Sequence, residues 1–229
     1  MAIVKKYPSE VIEILNPLPD IYVVSFRSLD KPYKYMPGQF LHLALDDYDP
    51  SMPWPESRCF SMQSCGEDEF IKITYSVKGR YTARMAKELF VGRKVTLKLP
   101  YGELFIKNHP KENVVFIAGG TGVTPFLSIF NHNNFREYKN AKLYLGIRNE
   151  NYHIYKEEIE KARKINESFT FEIICEDKEG MLCIEKIYNN HKDTSTYFIS
   201  GPPLMIKNFK KYLLGKGLSE DRIRTDEWE

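Results

Sequence analysis

The stretch with the clearest chemical meaning is GGTGVTP in the middle of the chain, which ends one apolar run and begins the next. Gly120 and Gly122 let backbone amides approach a phosphate closely, and a helix start adds positive partial charge. Thr121 and Thr124 offer hydroxyl groups, and Pro125 suits a first helical turn, although it replaces the third glycine of the usual dinucleotide fingerprint. Because a tight turn without a ligand needs the same glycines, this stretch alone predicts a phosphate site but no particular nucleotide.

A second stretch, RCFS, places Arg58 and Phe60 on the same face of a predicted strand, because side chains alternate along a strand. An arginine next to an aromatic ring can bind a phosphate and stack on a flat ring system. The same residues would also suit an edge strand whose arginine extends into water. On its own, this stretch favours that second interpretation.

A third stretch, KGRYT, combines a turn at Gly79 with a predicted helix whose N-cap is Thr82. The amides of Tyr81 and Thr82, together with Arg80, could form a second anion site at the helix start. A well-capped helix without a ligand explains the same residues, and it is the favoured interpretation when the stretch is taken alone.

A fourth stretch, SGPP, follows the apolar run YFI and contains Ser200, Gly201 and Pro202. We predict that it lies at the carboxyl end of a parallel strand, which is the edge where open α/β sheets bind their ligands. The alternative is a simple Gly-Pro turn that enters a helix.

Arg148 follows another apolar run, KLYLGI, at the place where the usual fingerprint has an acid for the ribose hydroxyl. An arginine there can contact the 2′-phosphate of NADPH, but Glu150 is close by in the sequence. These residues give a slight preference to NADPH and leave NADH open.

Two kinds of scaffold are needed to position these stretches. Short β-type runs such as YVVSFRSL, QFLHLAL and FIKITYSV fill the first half and predict an antiparallel β-barrel interrupted by one helix, TARMAKELF. Within it, DDYDPSMPWPES is a long Pro-rich loop of the kind that is sometimes functional. In the second half strands alternate with helices, which predicts a doubly wound parallel α/β sheet. The polar segment KNHPKEN separates the two, so we predict a barrel domain at residues 1–108 and an α/β domain at residues 109–229.

The composition argues against several classes of function. The net charge is +2, which does not favour nucleic acid or an anionic membrane surface as a partner. The 4 cysteines and 5 histidines lack the spacing of metal, redox or iron–sulfur sites, so we expect reduced thiols and no metal. The first residues lack the apolar core of a signal peptide, and no apolar run approaches the ~20 residues of a membrane helix. We therefore expect a cytoplasmic protein without a membrane span.

Six motifs occur in a fixed order along the chain, namely PGQF, RCFS, KGRYT, PYGEL, GGTGVTP and SGPPLM, and an acid–aromatic tail follows them. In this order they closely resemble the ferredoxin–NADP reductase superfamily over nearly the whole chain. The resemblance implies FAD bound by the barrel domain and NADPH or NADH bound by the α/β domain.

The resemblance also implies roles for individual residues. Arg58 would hold the flavin diphosphate, Phe60 would pack on the isoalloxazine or the ribityl chain, and Ser61 would hydrogen-bond near flavin N5. The other implied flavin-binding positions are Cys59, Tyr75, Ser76, Val77, Gly79, Arg80, Tyr81 and Thr82. The implied positions for the nicotinamide nucleotide are Gly120, Thr121, Gly122, Thr124, Pro125, Arg148, Gly201, Pro202 and Met205.

Two positions depart from the family pattern, and the tail fits it. Phe60 stands where the family usually has tyrosine, so one hydroxyl contact is lost. Ser200 stands where the family has the cysteine of C-G-P-P beside the nicotinamide, and its hydroxyl can still polarise and position. Asp226 and Trp228 fit an acid–x–aromatic ending, in which Trp228 would stack on the isoalloxazine and Asp226 would relay protons. The implied catalytic residues are thus Ser61, Ser200, Asp226 and Trp228.

The implied reaction is hydride transfer from NAD(P)H to N5 of FAD, followed by electron transfer to an acceptor. Because the sequence has no iron–sulfur cysteine run, we expect a separate acceptor, with a small redox protein such as a ferredoxin or flavodoxin favoured over free flavin or an oxygenase or reductase component. Two alternatives remain: an NAD(P)H:flavin reductase whose flavin is a substrate, and a non-catalytic electron-transfer subunit. The sequence leaves open the oligomeric state, the physiological direction and how tightly FAD is held.

Overall fold

The computed structural model describes residues 3–66 and 68–226, and its chain divides into two compact units at residues 1–103 and 104–229. The elements of the first unit are the strands β1 (Lys5–Leu18), β2 (Ile21–Ser28), β3 (Phe40–Ala44), β4 (Ser57–Ser61), β5 (Phe70–Ser76) and β6 (Lys94–Tyr101), and the helix α1 (Arg80–Glu88). The strands form one antiparallel sheet in the order β4-β3-β6-β1-β2-β5. Just beyond β4, the amide of Gln63 donates to the carbonyl of Lys72 in β5 at 2.8 Å, so the two edge strands meet. This arrangement confirms the predicted antiparallel barrel.

Alternating side chains define the inside of this barrel. Leu41 and Leu43 in β3 are fully buried, whereas His42 between them is only half-buried on the outer side. The helix α1 contributes Tyr81 and Met85, which lie one turn apart, to the same apolar core. The barrel therefore fixes both the strand that carries RCFS and the helix that begins in KGRYT.

The second unit is an α/β layer structure. Its strands are β7 (Val114–Gly119), β8 (Lys142–Ile147), β9 (Thr170–Cys175), β10 (Thr196–Ser200) and β11 (Ile223–Thr225), and its helices are α2 (Thr124–Phe130), α3 (Lys156–Ile165), α4 (Glu176–Glu179), α5 (Ile184–His191) and α6 (Pro203–Gly215). All strand pairs are parallel, in the order β11-β10-β7-β8-β9. Residues 114–118 of the central strand β7 are fully buried, because apolar clusters cover both faces of the sheet. The predicted doubly wound parallel sheet is confirmed.

The two units divide between Glu103 and Leu104, which is earlier than the boundary we predicted after residue 108. Leu104 is buried in the core of the second unit. The ring of Phe105 lies 4.9 Å from that of Phe198 in β10. The polar appearance of KNHPKEN suggested a later boundary, but these two apolar residues before it already pack with the second unit.

Within the part of the chain that the structure describes, no helix is both long enough and apolar enough to cross a membrane.

Candidate functional site

The strand order of the second unit changes direction between β7 and β10. From β7 the chain continues to β8 and β9 on one side, whereas β10 and β11 lie on the other side of β7. In open α/β sheets, ligands bind at this kind of switch point, outside the carboxyl ends of the strands. The turn after β7 and the turn after β10, which contain GGTGVTP and SGPP, are therefore neighbours at the expected binding edge.

Glycines allow these two turns to pack directly against each other. A β-carbon at position 122 would lie 2.5 Å from Cα of Gly201, which itself has a φ of +148°. A β-carbon at Gly119 would lie 2.8 Å from Cδ of Pro202 and 3.2 Å from Sδ of Met205. Close backbone packing thus explains three of the glycines, in addition to the phosphate approach that the sequence suggested for Gly122.

Gly120 differs from its neighbours because it faces open space. It has a φ of +56°, and nothing lies within 4 Å of where its β-carbon would be. A short 3-10 turn over Gly120–Val123 leads into α2, and Pro125 lies in the first turn of that helix, as predicted. This strand–turn–helix arrangement is the context that a phosphate-binding turn requires.

The two threonines of this turn have different environments. Thr124 is buried, and its hydroxyl donates to the carbonyl of Thr121 at 2.9 Å, so it stabilises the turn from within. The side chain of Thr121 is half-exposed. Thr121 is therefore the more accessible hydroxyl for a ligand at this edge.

The structure brings Ser200 and Asp226 together, although they are distant in sequence. The amide of Asp226 donates to the carbonyl of Ile199 at 3.0 Å, which continues the pairing of β11 with β10. The buried hydroxyl of Ser200 donates to Oδ2 of Asp226 at 3.2 Å. By accepting this hydrogen bond, the carboxylate fixes the orientation of the Ser200 hydroxyl. The lone pairs of the hydroxyl oxygen can then accept from another donor. Trp228 lies outside the described residues.

Arg148 follows β8 and is exposed. Its guanidinium lies 5.5 Å from the ring centroid of Tyr152. Glu150 pairs instead with Lys178 at 2.7 Å, and this contact lowers the pKa of the Glu150 carboxyl. Glu150, which left the choice between NADPH and NADH open in the sequence, thus forms an ion pair with Lys178.

In the first unit, the candidate anion site begins at the N-terminus of α1. The predicted N-cap, Thr82, is wrong, because Gly79 is the N-cap and the helix begins at Arg80. The hydroxyl of Thr82 accepts hydrogen bonds from the amides of Lys78 at 2.9 Å and Gly79 at 3.1 Å. It therefore stabilises the turn before the helix, and the amides of the first helical residues remain at the open helix end.

Arg58 lies beside this helix start. Its guanidinium is 5.2 Å from the ring centroid of Tyr81, and its Nη1 donates to the carbonyl of Ser57 at 2.8 Å. Tyr81 donates to the carbonyl of Leu43 at 2.6 Å, and burial raises the pKa of its hydroxyl, so it stays neutral. The guanidinium of Arg58 thus lies against the ring of Tyr81, whose hydroxyl is held by a hydrogen bond.

The strand positions after Arg58 separate into two environments. Phe60 is buried, with its ring 6.1 Å from that of Tyr75, and Ser61 is buried as well. The thiol of Cys59 lies 3.5 Å from Nε2 of His42, its cross-strand partner on the outer side of β4. Burial raises the pKa of the Cys59 thiol. Phe60, and not Cys59, therefore belongs to the face that carries Arg58.

Two neighbours of these residues were not found from the sequence. Tyr22 stacks on Tyr75 with the ring centroids 5.3 Å apart. Glu56, at the end of the Pro-rich loop, contacts both Arg58 and Arg80. A carboxylate two residues before a candidate phosphate-binding arginine was a visible signal, but its contact with Arg80 depends on the fold. Ser76 and Val77 are half-exposed at the end of β5.

Among residues 3–66 and 68–226, no group of three or more His, Cys, Asp and Glu side chains could hold a metal ion.

Comparisons with known proteins agree with this architecture. Residues 116–211 match the family model of the oxidoreductase NAD-binding domain. The chain is 25% identical over 237 residues to the reductase component of propane 2-monooxygenase from Mycolicibacterium goodii, which covers 95% of this chain and 66% of that protein. It is 23% identical over 214 residues to a flavohemoprotein from Candida norvegensis, covering 92% of this chain and 55% of that protein.

Solved structures show the same fold. A ferredoxin NADP+ reductase from Neisseria gonorrhoeae, solved with bound FAD and NADP, is 18% identical with a TM-score of 0.78, and the match covers 99% of both chains. An Amycolatopsis cytochrome P450 reductase is also 18% identical, with a TM-score of 0.83 over 98% of this chain and 70% of that one. The chain spans 66% and 55% of the lengths of the two curated relatives described above.

The chain thus combines an antiparallel barrel with a parallel sheet that matches an oxidoreductase NAD-binding domain. More specifically, the fold is the one seen in the ferredoxin NADP+ reductase from Neisseria gonorrhoeae, and residues 116–211 carry the oxidoreductase NAD-binding domain.

Proposed function

We propose that this chain binds FAD through its first unit and NAD(P)H through its second unit, and passes electrons from NAD(P)H through FAD to a separate acceptor. The observation that carries this proposal is the topological switch point between β7 and β10 in the second unit. There the G-x-G-x-x-P turn and the Ser200–Asp226 pair lie at the carboxyl ends of neighbouring parallel strands.

The residues of the second unit fit a nicotinamide nucleotide. Gly120 provides an open, left-handed turn that a diphosphate can approach, and the half-exposed Thr121 adds a hydroxyl. Gly201 and Pro202 form the facing turn, and Ser200 offers a fixed hydroxyl for the nicotinamide side. Arg148 is an exposed cation at the end of β8, which supports a preference for the 2′-phosphate of NADPH over NADH.

The residues of the first unit fit FAD. The start of α1 provides amides next to Gly79, where nothing lies within 4 Å of a β-carbon position. Arg58 and Arg80 add positive charge at the same place, which suits a diphosphate. Phe60 and Tyr75 place two buried aromatic rings in this unit, 6.1 Å apart.

FAD, when bound, would supply the chemistry of accepting a hydride and releasing electrons. The chain would contribute orientation and proton control. Asp226 would hold the Ser200 hydroxyl in one orientation, and it would exchange a proton through that hydroxyl. Ser61, buried at the end of β4, would offer a second hydroxyl on the flavin side.

A separate electron acceptor is supported by the names of the relatives, several of which are reductase components of oxygenase systems. We favour a small redox protein as the acceptor. The cytoplasmic location expected from the sequence stays a prediction.

One observation favours the alternative in which flavin binds weakly and acts as a substrate. Both Arg58 and Arg80 already share the carboxylate of Glu56, so part of the positive charge meant for a diphosphate is neutralised. The stability of the FAD complex is therefore the property that separates a retained cofactor from an exchanging substrate.

The test is to purify the chain in moderate salt, record the bound flavin spectrum and mix the protein with NADPH or NADH in a stopped-flow instrument. We expect bound flavin that loses its absorbance near 450 nm with at least one nucleotide, as flavin reduction requires. Colourless protein that reduces added riboflavin would favour the flavin reductase. Bound flavin that neither nucleotide reduces would indicate a non-catalytic subunit.

A further inference from the structure

Glu56 lies between two arginines of the candidate diphosphate site in the first unit. Its Oε1 is 3.3 Å from Nη2 of Arg58 and 3.4 Å from Nη2 of Arg80. Its Oε2 is 3.4 Å from the same nitrogen of Arg80 and 3.8 Å from Nη1 of Arg84. One carboxylate thus accepts from side chains that arrive from both β4 and α1.

These contacts use the donors that a phosphate would need. Carboxylate and phosphate oxygens are recognised by the same guanidinium forks, so they compete for the same N–H groups. In Arg58, Nη1 is bound to the carbonyl of Ser57 and Nη2 to Glu56. A diphosphate at this site would therefore compete with Glu56 for the Nη2 donors of Arg58 and Arg80.

The charge balance points the same way. Arg84 is paired with Asp46 at 2.7 Å and with Glu88 at 2.9 Å. Arg58 and Arg80 therefore remain as the two cations for a doubly negative diphosphate, and Glu56 cancels half of their charge while it stays between them. Like charge at this short range disfavours the incoming diphosphate.

The surroundings of Glu56 allow its side chain to leave without moving the loop. The Tyr81 hydroxyl lies 3.4 Å from the main-chain carbonyl of Glu56, and it is itself held by the carbonyl of Leu43 at 2.6 Å. The Glu56 side chain is 33% exposed, so rotation toward water is open to it. The main chain next to Glu56 is held by the pairing of Ser57 with Ala44 in β3, whereas the carboxylate is a replaceable ligand of the arginines.

We propose that Glu56 competes with the flavin diphosphate for Arg58 and Arg80. Its carboxylate releases these arginines when FAD binds, and it thereby determines how tightly FAD is held. This inference rests on the proposed function in that FAD is the ligand of the first unit. It makes Glu56 the residue that tunes the chain between a retained cofactor and an exchanging flavin.

The test compares FAD binding to wild-type protein and to Glu56→Gln, both freed of flavin, by quenching of flavin fluorescence. The substitution keeps the side-chain size and removes the charge, so we expect the Kd for FAD to fall about tenfold. FMN should show a smaller gain, and riboflavin, which has no phosphate, should show none. Thermal unfolding of both proteins would verify that the variant is folded.

Glu88→Gln is the matched control. Glu88 has the same 33% side-chain exposure as Glu56 and also pairs with Arg84, but it lies at the other end of α1. We expect the Kd for FAD to be unchanged in this variant. A tenfold gain in both variants would mean that general charge, and not the Glu56 contact, controls binding, and it would overturn the proposal.

Other outcomes also decide the question. An unchanged or higher Kd in Glu56→Gln would show that Glu56 orients the arginines or is irrelevant, and the proposal would be wrong while the proposed function stood. An equal gain for riboflavin would remove the diphosphate from the explanation and would equally overturn it. Absence of FAD binding in wild type and variant alike would instead overturn the proposed function together with this inference.

Discussion

The two candidate nucleotide sites differ in whether main chain or charged side chains form them. In the second unit the two turns that would receive the diphosphate consist of backbone, with Gly119, Gly122 and Gly201 packed so closely that side chains are excluded. In the first unit the site consists of charged side chains around an open helix start, with Arg58 and Arg80 sharing a carboxylate. One site is determined by shape and the other by charge.

This difference predicts different sensitivities. The packed turns of the second unit do not tolerate added volume, because a β-carbon within 3 Å of another main chain forces both turns apart. A side-chain site tolerates changes of volume at its open positions, but it responds to any change in the balance of its ion pairs. Substitutions of matched size and charge in the two units can therefore test the distinction directly.

The largest effect is expected for Gly122→Ala. Its β-carbon would lie 2.5 Å from Cα of Gly201, so the two turns must separate. We expect the rate of flavin reduction by NAD(P)H to fall about 100-fold, since small misplacements at a reacting centre have effects of that size. The free energy of unfolding should fall by about 1–3 kcal/mol, as for other overpacked sites. Stopped-flow kinetics and denaturant unfolding provide the two measurements.

Gly79→Ala is the control for this change in the other unit. The backbone there is extended, with a φ of −164°, and nothing lies within 4 Å of the new β-carbon. We expect a free energy of unfolding close to that of wild type, because the new β-carbon meets no protein atom. If Gly79→Ala impaired the protein as strongly as Gly122→Ala, the distinction between a shape-determined and a charge-determined site would fail.

A smaller effect is expected for Asp226→Asn. The substitution removes the negative charge that accepts the Ser200 hydroxyl proton, and hydrogen bonds to charged groups contribute about 1.5–3 kcal/mol. We expect kcat to fall about tenfold, with KM for NAD(P)H and the Kd for FAD nearly unchanged.

Ser200→Ala provides the check on this pair. If Asp226 acts through Ser200, the double variant should be no slower than the slower single variant. Additive losses would show that the two residues act independently.

Arg148→Ala tests the main exposed cation that we assign to the second site. Because its guanidinium lies over Tyr152 and Glu150 is paired elsewhere, we expect it to contact the 2′-phosphate. The KM for NADPH should then rise about tenfold while the KM for NADH changes little, since one charge-assisted contact is lost. Steady-state kinetics with both nucleotides measures the ratio.

Arg163→Ala is a matched control on α3, because Arg163 is also exposed and lies 5.8 Å from the ring of Phe171. It should leave both KM values unchanged. An equal rise for NADPH and NADH in Arg148→Ala would contradict the assignment, because it would indicate contact with a part that both nucleotides share.

The sequence predicted the fold and the glycine turns because these depend on local signals. Apolar runs define the strands, and Gly120 and Pro125 occupy the turn and the first helical turn that their types suggest. The N-cap of α1 was misplaced because threonine suits both the N-cap and the third helical position. Thr82 serves backbone amides in either case, but from inside the helix it stabilises the preceding turn.

Contacts between residues that are distant in the sequence could not be predicted from it. Ser200 and Asp226 were each predicted as site residues, but their hydrogen bond requires β11, a strand of only 3 residues, to pair with β10. Glu56 meets Arg80 across 24 positions only because the Pro-rich loop returns to the start of α1. Side-chain sites formed by several elements are therefore harder to predict than backbone sites formed by one turn.

The smallest effect is expected when the pH is lowered, which should destabilise the second unit more than the first. Burial lowers the pKa of His109, His153 and His191, all in the second unit, whereas in the first unit such a shift is found for His42. A lowered pKa keeps the folded side chain neutral, while the unfolded chain binds a proton near the ordinary value. These histidines therefore make their full contribution to the free energy of unfolding above about pH 6.5, and the contribution is lost as the pH falls toward the pKa of the folded state.

His109 carries the main part of this argument because it is buried. Its Nδ1 lies 2.7 Å from the carbonyl of Lys107, which can only accept, so Nδ1 carries the proton and Nε2 accepts from the Tyr138 hydroxyl at 2.8 Å. Protonation of Nε2 would break the second contact. At pH 5.5 we expect a loss of at most about 1.4 kcal/mol from this residue, and His109→Gln should reduce the pH dependence. Hydrogen exchange at pH 7 and 5.5 should show faster opening of β7 and β10 than of β3 and β6, and equal acceleration in both sheets would contradict the expected difference between the units.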